Sequence, residues 1–186
     1  MRNDHFSTSA SNTVSIYIPP TGCLWVVDET ISLLQGTGVE GFPSYAELTN
    51  QDRIMDADTG VNGLRNIYDF NGSDTWCYYF EKGDLARSKG QWEKAISYFE
   101  QARNANLVPL EGIEYLPFVS AYMHTGDIAN AVTLSQAALK KSYLTKPPLC
   151  QIWHDQLKSD PNLDTKSISA VYNADVCPAF FTTVQP

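Results

Sequence analysis

Residues 76–105 read WCYYFEKGDLARSKGQWEKAISYFEQARNA, and their apolar and small side chains recur at helical spacing. Gly90 divides this stretch, and a glycine just past a run of helical period is typical of a left-handed C-cap. A second glycine, Gly126, follows 36 residues later, and small residues return at matching offsets around it. The repeat predicts two antiparallel helix pairs, because closely packed helices need glycine or alanine where they touch.

The repeat also sets the bounds of five predicted helices. They cover residues 76–88, 92–105, 112–124, 128–140 and about 147–158. Pro147 and Pro148 suit the first turn of the fifth helix, where proline removes no needed hydrogen bond. We therefore predict a mainly α fold with its helical domain at residues 76–159.

The first 75 residues show a different pattern. Residues 14–18 alternate apolar and polar side chains and residues 23–27 form a short apolar run, which predicts two short strands. Because two helix pairs cannot cover their own faces well, we expect residues 1–75 to form a loop-rich arm that packs on the helices. Residues 160–186 have little periodicity, and we expect a partly ordered tail there.

Composition and charge exclude several classes of protein. The 186 residues are 43% hydrophobic, which suits one globular domain with its own core. The formal net charge of −8 would repel a phosphate backbone unless a local basic patch escaped this average, so we expect no nucleic-acid partner. The longest uncharged run, residues 6–27, contains Pro19, Pro20 and several polar side chains, so we expect no membrane span in this chain.

Four cysteines are present: Cys23, Cys77, Cys150 and Cys177. Four cysteines allow three complete pairings, and their spacing does not choose among them. None lies at zinc-knuckle spacing from another and the chain has only three histidines, so we expect no metal and no other cofactor. The residues alone leave disulfides and buried thiols equally open.

The helical region resembles the tetratricopeptide repeat, whose pattern is 34 residues long. The large, small and aromatic positions of that pattern coincide with Tyr79, Gly83, Gly90, Trp92, Ala95, Phe99 and Ala102, and again with Tyr122, Gly126, Ala131 and Ala138. Ser135 departs from the pattern at an aromatic position, and we expect a longer loop around Pro109 to absorb the two extra residues. The resemblance implies a short helical-hairpin solenoid whose first helices line a concave binding face.

A longer resemblance covers most of residues 15–157. The segments SIYIPPTGCLWVVD at 15–28, WCYYFEKGDLAR at 76–87, LPF at 116–118 and LCQIW at 149–153 are similar to the extracytoplasmic C-terminal region of bacterial multi-pass glycosyltransferases of the dolichyl-phosphate-mannose mannosyltransferase type. The catalytic groups of that family lie in its membrane portion, so none is carried over. The resemblance implies an extracytoplasmic or cell-surface location and favours disulfides. Without it, a cytoplasmic location is expected.

Aromatic and basic side chains of the predicted first helices form the candidate binding set. The set comprises Tyr79, Lys82, Arg87, Tyr115 and Tyr122, with His124 close by in the sequence. Aromatic side chains on a concave face suit peptides or sugar rings. We expect a protein or peptide partner there, with a glycan as the alternative ligand, although not all of the set can share one face.

The acidic loop at residues 52–62 is the candidate site of a competing class of protein. Asp56 and Asp58 place oxygen atoms at alternate positions, as calcium loops do, but Gly60 stands where a further ligand is expected. A solvated turn is therefore the favoured interpretation. Together with Asp52, these carboxylates are the candidates for a small hydrolase or a glycan-binding protein.

No catalytic signature is present, so we predict a non-catalytic protein-interaction or scaffold domain. The longer resemblance makes it an accessory of a membrane glycan-transfer or cell-envelope system. Two alternatives stay open. One is the glycan-binding protein or hydrolase of the acidic loop, and the other is a self-assembling structural subunit, since short solenoids with uncovered ends tend to stack.

Overall fold

The computed structural model describes residues 13–27, 49–54, 75–159, 169, 171 and 175–177. Within these residues the chain forms five α-helices and one two-stranded antiparallel sheet, which confirms the predicted mainly α class with two short N-terminal strands. The chain divides into two compact units. One consists of Met1–Ile18 and Trp25–Phe70, and the other of Pro19–Leu24 and Asn71–Pro186.

The first unit contains the sheet. Strand β1 (Ile16–Tyr17) pairs with strand β2 (Trp25–Val26) in antiparallel register. The Val27 amide donates to the Ser15 carbonyl at 2.9 Å and lengthens the ladder by one bond. Both strands are shorter than the five-residue runs that the sequence predicts. Pro19 follows β1 closely and has no N–H to contribute to a ladder.

The second unit contains the helices. Their bounds are Trp76–Ser88 (α1), Trp92–Asn104 (α2), Leu116–His124 (α3), Ile128–Lys141 (α4) and Lys146–Ser159 (α5). Helix α1 has the predicted bounds, α2 and α4 differ from theirs by one residue at one end, and α5 is one residue longer at each end. Helix α3 begins four residues later than predicted, because a 3₁₀ turn at Gly112–Tyr115 precedes it. The side chains of Glu111 and Glu114 each accept the other's backbone N–H and hold that turn closed.

Gly90 and Gly126 end α1 and α3, as the repeat predicts. Their φ angles are +67° and +79°, in the left-handed region that glycine enters without steric conflict. Each glycine reverses the chain within a short connection, so α1 with α2 and α3 with α4 form antiparallel hairpins.

Four aromatic rings fill the space between the first hairpin and α3. They belong to Trp76, Phe80, Phe99 and Phe118, all buried, and neighbouring ring centroids are 4.9 to 6.5 Å apart. Gly83 allows this approach, because a Cβ atom at that position would overlap the Phe118 ring. Burial of such rings contributes about 2 kcal/mol or more apiece and makes this cluster the centre of the helical unit.

Helix α5 packs on the second hairpin through Trp153. This side chain is fully buried, and its indole N–H donates to the Ser135 hydroxyl at 3.0 Å. Ser135 stands where the repeat pattern expects an aromatic residue. At this position α4 therefore contacts an indole of α5 through a hydrogen bond.

Both pairs of cysteines form disulfides within the helical unit. Cys23–Cys77 joins the segment at 19–24 to α1, and Cys150–Cys177 joins α5 to the C-terminal segment. One of the three pairings that the spacing left open is thus selected. Packing of the rest of the predicted arm, and the partial order of the tail, stay predictions. Within the described ranges, no helix combines the length and the apolar character that a bilayer crossing needs.

Candidate interaction site

Tyr79 and Lys82 lie one turn apart on the same side of α1. Both side chains are half-buried, and so is that of Tyr78. The rings of Tyr78 and Tyr79 meet edge to face, with centroids 5.2 Å apart and planes at 86°. Residues three apart on a helix are neighbours on its surface, so two tyrosine rings and one lysine share this region of α1.

Arg87 belongs to the interior. Its Nε–H donates to Asp84 Oδ1 at 2.7 Å, and both side chains are buried. Removing either partner would take a charge-assisted hydrogen bond away from a buried side chain, which is destabilising. The contact gives Arg87 a structural role, and its predicted role in binding stays a prediction.

Tyr122 links α3 to α2. Its side chain is 4% exposed, its ring lies edge-on to Phe99, and its hydroxyl donates to Glu100 Oε1 at 2.6 Å. Glu100 also forms an ion pair with Arg103 one turn later. Burial, and then the hydrogen bond to Glu100, raise the pKa of Tyr122 far above its ordinary value. The residue is part of helix packing as well as of the predicted binding set.

Tyr115 and His124 lie at opposite ends of α3. Tyr115 is half-buried, and burial together with the neighbouring Glu114 carboxylate raises the pKa of its hydroxyl. His124 is exposed and stacks on Trp92, with ring centroids 3.8 Å apart and planes at 14°. Its Nδ1–H donates to the Ser120 carbonyl at 2.8 Å. Of the predicted set, Tyr79, Lys82 and Tyr115 therefore keep surface accessible, whereas Arg87 and Tyr122 do not.

Glu114 is the residue that sequence reasoning missed. Its side chain is fully buried, yet its carboxylate accepts four N–H bonds from three separate parts of the chain. The donors are the Cys23 amide at 2.8 Å, the Trp76 indole at 2.7 Å, the Leu110 amide at 2.7 Å and the Glu111 amide at 3.2 Å. Charge-assisted hydrogen bonds of this number offset the loss of hydration that burial imposes on a carboxylate.

The segment at 19–24 is held against Glu114 by three further features. Gly22 has φ +94°, and a Cβ atom there would lie 2.7 Å from Glu114 Oε1. The Thr21 hydroxyl donates to Glu111 Oε1 at 2.8 Å, and the next residue but one, Cys23, is bonded to Cys77. The sequence carries a signal for the turn at Glu114, since Glu111 and Glu114 have capping-box spacing immediately before α3, but none for the contact with the segment at 19–24.

The structure describes the acidic loop only as far as residue 54. Asp52 lies exposed in a 3₁₀ turn at Gln51–Arg53, whereas Asp56 and Asp58 lie outside the described residues. Where the structure does describe the chain, no group of three His, Cys, Asp or Glu side chains is placed to hold a metal ion. The hydrolase and glycan-binding alternatives stay untested predictions.

Comparisons with protein-family models, with curated proteins and with solved structures give no significant match for this chain. Function is therefore inferred from the chain's own residues and from the two resemblances that they carry.

Proposed function

We propose that this chain is a non-catalytic interaction domain that works outside the cytoplasm as an accessory of a cell-envelope or membrane glycan-transfer system. The observation that carries this proposal is the pairing of all four cysteines in two disulfides. Disulfides form and persist in oxidising compartments and are rare in cytosolic proteins. Both bonds tie irregular segments to helices and so restrict the unfolded chain.

A protein or peptide partner is proposed to bind on α1, at Tyr79 and Lys82. Tyrosine side chains supply a large and rigid contact area at low entropic cost, and they are enriched where proteins meet. The lysine adds a positive charge beside the two rings. These features suit an extended peptide with an apolar side chain near a carboxylate.

Site-specific photo-cross-linking in the native host tests this surface. A photoreactive phenylalanine analogue replaces Tyr79 in one protein and the exposed Gln101 of α2 in a matched control. We expect a discrete cross-linked product from position 79 and none from position 101, and we expect Lys82→Glu to lower the yield at position 79. Equal yields from both positions, or a yield that Lys82→Glu leaves unchanged, would contradict the proposal.

A further inference from the structure

Two loops of the helical unit expose large apolar side chains. Val108 and Leu110, between α2 and α3, are 63% and 49% exposed. Tyr143 and Leu144, between α4 and α5, are 72% and 79% exposed. Single exposed apolar side chains are ordinary on a protein surface, whereas a cluster of them marks an interaction site.

The two loops lie at the same end of the helical unit. Consecutive helices α1 to α4 alternate in direction. The connection between α2 and α3 and the connection between α4 and α5 therefore lie at the same end of the unit. Contacts at Gly112 agree with this, because a Cβ atom there would lie 2.5 Å from Thr145 Oγ1 and 2.6 Å from the Ala138 carbonyl. We call the four residues Val108, Leu110, Tyr143 and Leu144 the apolar loop end.

Lysines flank the most exposed pair. Lys140 and Lys141 precede Tyr143, and Lys146 follows Leu144, with its Nζ 5.4 Å from the centre of the Tyr143 ring. Residues 128–154 contain these three lysines and neither Asp nor Glu, in a chain whose net charge is −8. Glu111 and Glu114 follow Leu110 at this end, so three lysines stand against two carboxylates and the local charge is positive. Screening at physiological salt confines the influence of more distant acidic residues to about 8 Å.

We propose that the apolar loop end docks on an anionic lipid surface. Tyr143 and Leu144 enter the headgroup region, and Lys140, Lys141 and Lys146 contact lipid phosphates. Tyrosine is enriched at membrane interfaces, and lysine keeps its charge in the headgroup layer while its alkyl stem lies along apolar surface. Attraction to anionic lipids adds to apolar burial in such contacts.

The apolar loop end suits a protein partner or a second copy of the chain less well than a lipid surface. Three lysines surround this end, against one at the surface proposed on α1, and lysine is depleted from the centres of protein–protein interfaces. Two copies of this end would bring six lysines together, which opposes self-association. The inference does not depend on the partner proposed for α1, because that surface is made by different residues.

Co-sedimentation with lipid vesicles tests the inference on the purified, oxidised chain. We expect binding to vesicles of phosphatidylcholine mixed with phosphatidylglycerol, weakened by added salt, and little binding to phosphatidylcholine alone. Lys140→Glu with Lys141→Glu should lower the partition coefficient about tenfold or more. Tyr143→Ser with Leu144→Ser should lower it by a similar factor.

The matched control is Lys89→Glu with Lys94→Glu. It makes the same change in net charge at exposed positions near the connection between α1 and α2, so it should retain vesicle binding. All variants alter exposed side chains, and unchanged circular dichroism verifies that each is folded.

The inference is overturned if wild type does not bind the anionic vesicles, or if the control loses binding as the test variants do. It is also overturned if the loop variants abolish a concentration-dependent mass in light scattering without vesicles, since that result would assign the end to a second copy.

Discussion

At the scale of the residue, Glu114 joins more of the helical unit than any cysteine does. Its four donors come from the 19–24 segment, from α1 and from the loop before α3. A buried carboxylate is costly unless it is hydrogen-bonded, so the unit depends on all of these donors being in place together.

Glu114→Gln should therefore destabilise the fold strongly. The amide keeps one acceptor but turns an NH₂ group toward N–H donors, and we expect a loss of about 3 kcal/mol in the free energy of unfolding. Urea unfolding with intact disulfides measures this loss of stability. Glu93→Gln, at an exposed site in the first turn of α2, is the control and should cost under about 1 kcal/mol. Equal effects of the two substitutions would refute the structural role of Glu114.

Gly22 and Gly90 form a matched pair, because both have positive φ but differ in their surroundings. A Cβ atom at Gly22 would meet Glu114 Oε1, whereas one at Gly90 has nothing within 4 Å. Gly90→Ala should cost about 1 kcal/mol for the left-handed backbone alone. Gly22→Ala should exceed it by about 1 kcal/mol or more, since the buried carboxylate must move. Thermal or urea unfolding of both variants measures the difference, and a difference near zero would mean that Gly22 is needed only for its φ angle.

The raised pKa of Tyr122 makes the stability of the fold depend on pH in the alkaline range. Its folded pKa is raised above the 10.0 of an ordinary tyrosine, by burial and by the bond to Glu100. The unfolded chain therefore ionises first, so stability is fully present below pH 10 and declines as the pH rises above it. In Tyr122→Phe, the slope of stability against pH above 10 should be smaller than in wild type. Urea unfolding on both sides of pH 10 measures the two slopes, and identical slopes would exclude Tyr122 as a cause.

At the scale of the element, α5 is coupled to α4 by the bond between Trp153 and Ser135. Trp153→Phe keeps a ring but removes the indole N–H, and Ser135→Ala removes the acceptor. A double-mutant cycle should give a coupling energy of about 1 kcal/mol for this buried bond. If the effects of the two substitutions on the free energy of unfolding are strictly additive, the bond does not contribute to the packing of α5 on α4.

The helices could be predicted from sequence and the Glu114 contacts could not, for a physical reason. Helical period and the glycines Gly90 and Gly126 are local signals, because a helix and its cap are made by residues that are close in the chain. The partners of Glu114 include Cys23, 91 residues away, and Trp76, 38 residues away. The capping-box spacing of Glu111 and Glu114 indicates a helix start, but no local pattern indicates donors at such distances.

The predicted binding set also shows that local spacing can be predicted from sequence whereas contacts between helices cannot. Helical spacing places Tyr79 and Lys82 on one side of α1, and this much follows from sequence. The bond from Tyr122 to Glu100 joins two helices, so it forms only when they pack. Asp84 and Arg87 are three residues apart on α1, so helical spacing brings them together, but their burial follows only from packing. A repeat pattern marks which residues recur and does not distinguish a residue that binds a partner from one that binds its own neighbour.

At the scale of the whole molecule, two disulfides hold irregular segments to a five-helix unit. They close loops of 54 and 27 residues. Cross-links of these lengths restrict the unfolded chain and stabilise the fold by about 4 kcal/mol apiece. The proposal of an extracytoplasmic domain rests on these bonds being formed in the host.

Intact mass and peptide mapping, after thiol alkylation of protein from its native host, test that claim directly. Without prior reduction we expect no labelled thiol, and digestion should release one peptide pair joined by Cys23–Cys77 and another joined by Cys150–Cys177. With prior reduction, all four cysteines should be labelled. Four labelled thiols without reduction would contradict the extracytoplasmic proposal and point to a cytosolic helical-repeat adaptor, and any other pairing would contradict the described structure.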